Sequence, residues 1–256
     1  MDDEVPMIEE NIYETPKLHV EYLLFHYGSD EEVLPWENGP KEALGFATRT
    51  VSELLRPELL PETAGTRALD LGCAVGRSSF ELSKVVEEVI GIDYSMSFIE
   101  TAEHIRQHGS VSYPRVDEGD SFTPCTAHRP EGSFSERVKF EQGDAMLLRE
   151  DLGSFDVVHA ANLLCRLADP QRLLQQLPAL VKPGGQLLLA TPCSWLEEFT
   201  PKDNWPVGST FEWLKERLLG HFELDEQKDL PFLIREHARK YQWSVALGTR
   251  WIRRSD

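Results

Sequence analysis

Short apolar runs recur from residue 67 onward, at 67–71, 89–93, 138–141, 155–160 and 186–191. Each is rich in β-formers and short enough for a strand buried on both faces of a parallel sheet. Between these runs the pattern becomes helical. Residues 78–87, 97–108 and 169–180 form the intervening stretches, and the last carries a leucine stripe at 173, 174, 177 and 180. Strand and helix in this alternation predict an α/β fold, a Rossmann-like doubly wound sheet. Pro183-Gly184-Gly185 reads as a turn before the strand at 186–191. A helix near 209–219 and two β-rich runs, about 222–236 and 242–253, close the pattern. The two runs predict an antiparallel C-terminal hairpin at the sheet edge, giving about seven strands, mostly parallel.

Two stretches break the rhythm. Residues 1–60 precede the first strand, look helical in parts and hold the aromatic run Tyr22-Leu23-Leu24-Phe25-His26-Tyr27. Residues 109–135 contain three Pro, three Gly and five Ser and read as an insertion loop, either functional or mobile. The 256 residues fit one domain, 1–256, with 1–60 as an N-terminal lid or helical extension.

Composition narrows the function. With 26 Lys+Arg against 44 Asp+Glu the net charge is −18, which disfavours nucleic acid and anionic membrane surfaces as partners. The chain shows no basic-then-apolar leader and no apolar run long enough to span a bilayer. Four cysteines, none at metal-site spacing, predict neither a disulfide framework nor a metal site and suit a reducing, cytoplasmic setting.

The most informative segment is Asp70-Leu71-Gly72-Cys73-Ala74-Val75-Gly76-Arg77, which follows a strand and opens a helix. Glycines in a first βα turn let the backbone approach a ligand closely. The G-x-x-x-G spacing fails the dinucleotide fingerprint, and no P-loop lysine follows. The next strand ends at Asp93, where a carboxylate can accept two hydrogen bonds from a ribose diol. Gln142-Gly143-Asp144-Ala145 follows the third strand, where an acceptor can meet an adenine amino group. Three such loops converge on one crevice at the carboxyl ends of the strands. The competing structural role for Asp70, Asp93 and Asp144 is helix capping.

Five segments in order carry a family resemblance over about residues 67–192: 69–76, Gly91-Ile92-Asp93, Gly143-Asp144-Ala145, Phe155-Asp156-Val157-Val158 and Leu180-Val181-Lys182-Pro183-Gly184-Gly185. The sequence resembles class I S-adenosylmethionine-dependent methyltransferases. The resemblance implies S-adenosylmethionine held by Asp70, Gly72, Cys73, Gly76, Asp93, Tyr94, Asp144, Ala145 and Asn162. Gly72 and Gly76 would flank its methionine part, Asp93 its ribose and Asp144 its adenine; Asn162 would meet the amino group. Ala74 departs from the family's glycine, and a negative φ is expected there.

The flanks resemble a narrower group. Segments 13–15, 21–28, 39–44, 160–167, 191–198 and 231–240 together look like the mercaptohistidine methyltransferase of ovothiol biosynthesis, often fused to a sulfoxide synthase. That resemblance implies a stand-alone enzyme methylating the imidazole π-nitrogen of 5-thiohistidine, functionally paired with a sulfoxide synthase. Candidate acceptor residues are Asn162, Tyr13, Arg235 and Glu236. Arg166 is a second carboxylate anchor, Glu197 a further acceptor, and Tyr22 and Trp195 are further ring walls. Arg166 can instead pair with Asp169, and Cys73 and Cys165 read as small buried residues rather than nucleophiles. Other readings are a methyltransferase of a different small molecule, a nicotinamide-dependent oxidoreductase and a non-catalytic S-adenosylmethionine-binding protein.

Overall fold

The computed structural model describes residues 11–255; residues 1–10 of the expected N-terminal extension and residue 256 lie outside the described residues. The N-terminal segment folds into helices. Thr15 opens α1 (Pro16–Tyr27), its hydroxyl accepting from the Leu18 N–H, with Pro16 in the first turn where no donor is needed. Ser29 and Glu32 cap α2 (Asp30–Val33) reciprocally. A third helix, α3 (Phe46–Ser52), leads toward the sheet.

The alternating part then runs β1 (Arg67–Leu71), α4 (Arg77–Leu82), β2 (Glu88–Asp93) and α5 (Met96–His108). An inserted hairpin, β3 (Ser110–Glu118) and β4 (Ser121–His128), comes next. The chain resumes with β5 (Val138–Gln142), β6 (Phe155–Ala161), α6 (Pro170–Leu180), β7 (Val181–Thr191) and α7 (Thr210–Leu218). It closes on β8 (Phe222–His237) and β9 (Lys240–Arg253).

The main sheet has the order β5-β2-β1-β6-β7-β9-β8. Its first five strands are parallel, β9 runs antiparallel to β7, and β8 pairs antiparallel with β9 at the edge. Alternation in β1 assigns the layers. Ala68 faces a core containing Leu23, Leu24, Phe46, Phe80 and Phe98, from α1, α3, α4 and α5. Leu69 and Leu71 face the other core, built on the α6 leucines at 173, 174, 177 and 180 and on Trp213 and Trp251. Strand order reverses between β1 and β6, and a crevice opens beyond their carboxyl ends.

Three local expectations need correction. The 109–135 stretch is a β-hairpin and not a loop. Tyr113 lies opposite Cys125, both buried with Ala127, and this face packs toward α1, α5 and β8. Pro114 pairs across from Pro124 at exposed positions, where a two-stranded ribbon tolerates missing N–H donors. Helix α4 stops at Leu82, and the Ser83 hydroxyl turns back to the Phe80 carbonyl. Pro183-Gly184-Gly185 lies inside β7, where the register against β6 shifts.

Candidate functional site

The crevice is floored by the turn after β1. Gly72 and Cys73 both donate their N–H to the Ile92 carbonyl, at 2.8 and 3.1 Å. Gly72 has φ 69° and Gly76 φ 88°; a Cβ on Gly76 would fall 2.6 Å from the Phe140 ring. Ala74, expected at negative φ, sits at φ 46°. Its N–H donates to Asp93 Oδ2 at 2.8 Å, so an ionic hydrogen bond offsets the cost of a left-handed alanine. Among the described residues, Ala74, Asn162 and Cys193 are the non-glycine residues at positive φ. They stand just past the carboxyl ends of β1, β6 and β7, so the backbone strain gathers around the crevice.

Asp93 ends β2 with Oδ1 accepting from Ser95 N–H and Oδ2 from Ala74 N–H. Burial pushes its carboxyl up to about 6, the nearby Asp70 and Glu14 charges add to this, and the two backbone donors oppose it. Asn162 donates its backbone N–H to the Ala190 carbonyl, while its side-chain Oδ1 is buried without a partner. An orphaned acceptor at this point fits an ammonium or N–H donor from a ligand.

Helix α1 roofs the crevice. Tyr22 tilts against Phe98 with centroids 4.9 Å apart, stacks on His26 at 5.8 Å and meets Tyr13 edge-on at 6.0 Å. The Tyr27 hydroxyl donates to the Val75 carbonyl at 2.7 Å, pinning the roof to the floor. Burial raises the Tyr13 and Tyr22 hydroxyls above their ordinary value, so both stay protonated donors. The Arg166 guanidinium beside Tyr13 works against that rise. Burial takes His26 down to about 3, with Asp70 opposing and Arg77 assisting. Its imidazole is therefore neutral, and Nδ1 has no hydrogen-bond partner. In the sequence His26 was only one member of the aromatic run; its unpaired nitrogen left no mark there.

Several candidates stand elsewhere. Asp70 is 1% exposed, with Oδ2 accepting from the Ser79 hydroxyl and Oδ1 2.7 Å from His159 Nδ1, so it braces the turn from beneath. Arg235 is occupied by the Glu32 carbonyl at 2.7 Å and Asp117 at 2.9 Å, which ties β8 to α2 and the inserted hairpin. Glu236 pairs with Lys240 and Gln242 at the β8–β9 turn. Glu197 is exposed near Lys202. Trp195 packs on Trp213 and donates to the Thr210 hydroxyl, on the α7 side. Cys73 is buried and Tyr94 65% exposed. Asp144 accepts from the Met146 N–H, and Ala145 is buried beside it.

No helix among the described residues is long and apolar enough to cross a membrane. Nor do the described residues hold a cluster of three metal-ligating side chains.

A parallel sheet with an antiparallel strand inserted beside β7, and a glycine turn after β1 bonded to the acidic end of the adjacent β2 beside the switch point, define the S-adenosylmethionine-dependent methyltransferase class. The chain belongs to the methyltransferase domain family, which matches residues 43–238. Among curated proteins it is 28% identical over 127 residues to a ubiquinone biosynthesis O-methyltransferase of Coxiella burnetii, covering 50% of this chain and 44% of that protein. It is 29% identical over 157 residues to the same-named enzyme of Xanthomonas axonopodis pv. citri, covering 61% and 55%. The aligned stretch thus spans about half the length of these relatives. Two solved structures share the fold. The [4+2]-cyclase SpnF superposes with TM-score 0.60 at 18% identity over 95% of each chain. The N-methyltransferase NodS of Bradyrhizobium japonicum WM9, in complex with S-adenosylhomocysteine, gives 0.53 at 15% over 93% of this chain and 99% of that one.

Proposed function

We propose that the protein transfers a methyl group from S-adenosylmethionine to the π-nitrogen of 5-thiohistidine, giving ovothiol. The observation that carries this reading is the unpartnered His26 Nδ1 stacked beside Tyr22, with Tyr13 edge-on to Tyr22 as a second aromatic wall. Such a lining suits a small aromatic acceptor bearing N–H groups. The likeness of segments 13–15, 21–28, 160–167 and 231–240 to the mercaptohistidine methyltransferase supports the same choice.

Bound S-adenosylmethionine supplies a methyl group on a sulfonium, open to attack by a nitrogen lone pair. Asp93 would accept the ribose hydroxyls once ionised, and the Gly72–Gly76 backbone would make room for the methionine end. Asn162 Oδ1, without a partner in the fold, would accept from the methionine ammonium. His26, neutral at physiological pH, accepts from the ring N–H that is not methylated, leaving the other nitrogen's lone pair free. Tyr13 and Tyr22 keep water from the reacting atoms. A functional pairing with a sulfoxide synthase follows from the same likeness.

The relatives' name suggests a second acceptor, a phenol hydroxyl. Purified protein with methyl-labelled S-adenosylmethionine decides between them when offered 5-thiohistidine, histidine, ergothioneine and a dihydroxybenzene. The expected outcome is label in 5-thiohistidine at far higher efficiency than in histidine. Equal rates on those two, or label in the phenol alone, overturn the thiohistidine reading.

A further inference from the structure

Arg166 is a cation in the crevice that no carboxylate among the described residues claims. It follows β6, and its Nη1 donates to the Cys165 carbonyl at 3.1 Å and to the Ser194 carbonyl at 3.3 Å, bridging the loops after β6 and β7. Its guanidinium carbon lies 4.6 Å from the Phe199 ring centre, and Phe199 in turn stands 6.2 Å from Tyr13. The sequence offers Asp169 as an ion-pair partner, but Asp169 caps α6 through the Gln171 N–H instead. Arg67, Arg77, Arg235 and Arg250 each meet an acid: Glu88, Glu81, Asp117, and Asp225 with Glu226. Arg137 also rests on two carbonyls, of Ser83 and Val86, and on the Phe134 ring, but it precedes β5 at the amino end of the sheet, away from the crevice. In a chain of net charge −18, an arginine at the carboxyl ends of the strands, beside Tyr13 and with no acid among the described residues, is set up for an anion from outside.

We propose that Arg166, with the Tyr13 hydroxyl as second donor, binds the carboxylate of the methyl acceptor and makes the enzyme selective for acceptors that carry one. The inference rests on the reading of this crevice as the acceptor site. It names the cationic pole of that site, near Tyr13 and Tyr22. The backbone carbonyls fix the guanidinium before substrate arrives, so little ordering is left to do on binding.

The test compares acceptors with their decarboxylated analogues, in wild type, Arg166→Lys and Arg166→Met. For 5-thiohistidine and its decarboxylated amine, wild type is expected to favour the carboxylate 10–100-fold in kcat/KM, mostly through KM. Arg166→Met should bring the two to parity, Arg166→Lys should keep part of the preference, and the affinity for S-adenosylhomocysteine should stay within twofold. If Arg166→Met does not fold, as read by circular dichroism, a severalfold smaller preference in Arg166→Lys carries the same meaning. A preference that survives in the folded variant overturns the proposal. So does a tenfold loss of S-adenosylhomocysteine affinity, which would assign Arg166 to the cofactor. A preference lost between 5-thiohistidine and histidine, and not between carboxylate and amine, assigns it to the sulfur and overturns the proposal too. If 5-thiohistidine is inert while another carboxylate-bearing acceptor shows the Arg166-dependent preference, the substrate reading fails and this inference stands. If no carboxylate-bearing compound is methylated, or binds the S-adenosylhomocysteine complex by calorimetry, the inference fails.

Discussion

Asp93 is held in two conflicting ways. Two backbone N–H groups favour its charge, while burial and the nearby acids Asp70 and Glu14 oppose it, and the carboxyl ends near 6 against an ordinary 3.8. As pH rises through that interval the folded protein keeps a proton that the unfolded chain has lost. Ionisation therefore costs stability, nothing below about pH 3.8 and the full amount above about pH 6. Asp93→Asn should stabilise the ligand-free protein at pH 7 by on the order of 1–3 kcal/mol, read from urea denaturation. The same variant should bind S-adenosylhomocysteine about 10–100-fold more weakly, because a charged acceptor is lost from the ribose. In wild type that affinity should fall as pH drops below 6, measured by calorimetry across pH 5–8. Ala74 carries a separate expectation. At φ 46° it is strained, and Ala74→Gly should raise stability by about 0.5–1 kcal/mol, seen as a higher melting temperature with cofactor affinity unchanged. The identities of Gly72, Gly76 and Asp93 were legible in the sequence because backbone approach and strand-end acidity have spacing signatures. The left-handed turns at Ala74, Asn162 and Cys193 have none, and Arg166 could be told from Arg235 only once their partners were visible.

Helix α1 has two faces with different duties. Leu23, Leu24 and Tyr27 enter the core, while Tyr22 and His26 roof the crevice. Deleting residues 1–27 should therefore abolish methyl transfer and lower the melting temperature together, since buried leucines cost about 2–5 kcal/mol each when lost. Tyr22→Ala separates the duties. It should lower turnover at least tenfold while circular dichroism stays native-like; unchanged turnover would remove the aromatic roof from the mechanism. The parallel strands were readable because burial on both faces leaves unbroken apolar runs. The β3–β4 hairpin was not, since only Tyr113, Cys125 and Ala127 are fully buried and the paired prolines mimic a loop. Its backing of α1 explains why that stretch is ordered.

Across the molecule, one buried polar chain joins the N-terminal helices to the sheet. Ser79 and His159 hold Asp70, and His159 Nε2 reaches the Thr50 hydroxyl at 3.0 Å, with all four side chains at 2% exposure or less. His159→Leu should destabilise the fold by roughly 2–4 kcal/mol, because Asp70 keeps its burial and loses a partner; a denaturation midpoint unchanged from wild type would contradict this. Nearby, Arg250 donates to the Leu54 carbonyl at 2.6 Å, tying β9 to the end of the same N-terminal segment. Seen from outside, residues 60–65 look like a linker before the sheet begins, mostly exposed and holding one Pro, one Thr and one Gly. The polar chain says otherwise about what a cut there would do. A protease nick in that stretch would leave two fragments that share one interior, so they should co-elute on gel filtration and melt in a single transition. The seam between helical segment and sheet is thus a place where the backbone can be opened and the two pieces still complement each other, as in a split-protein reporter.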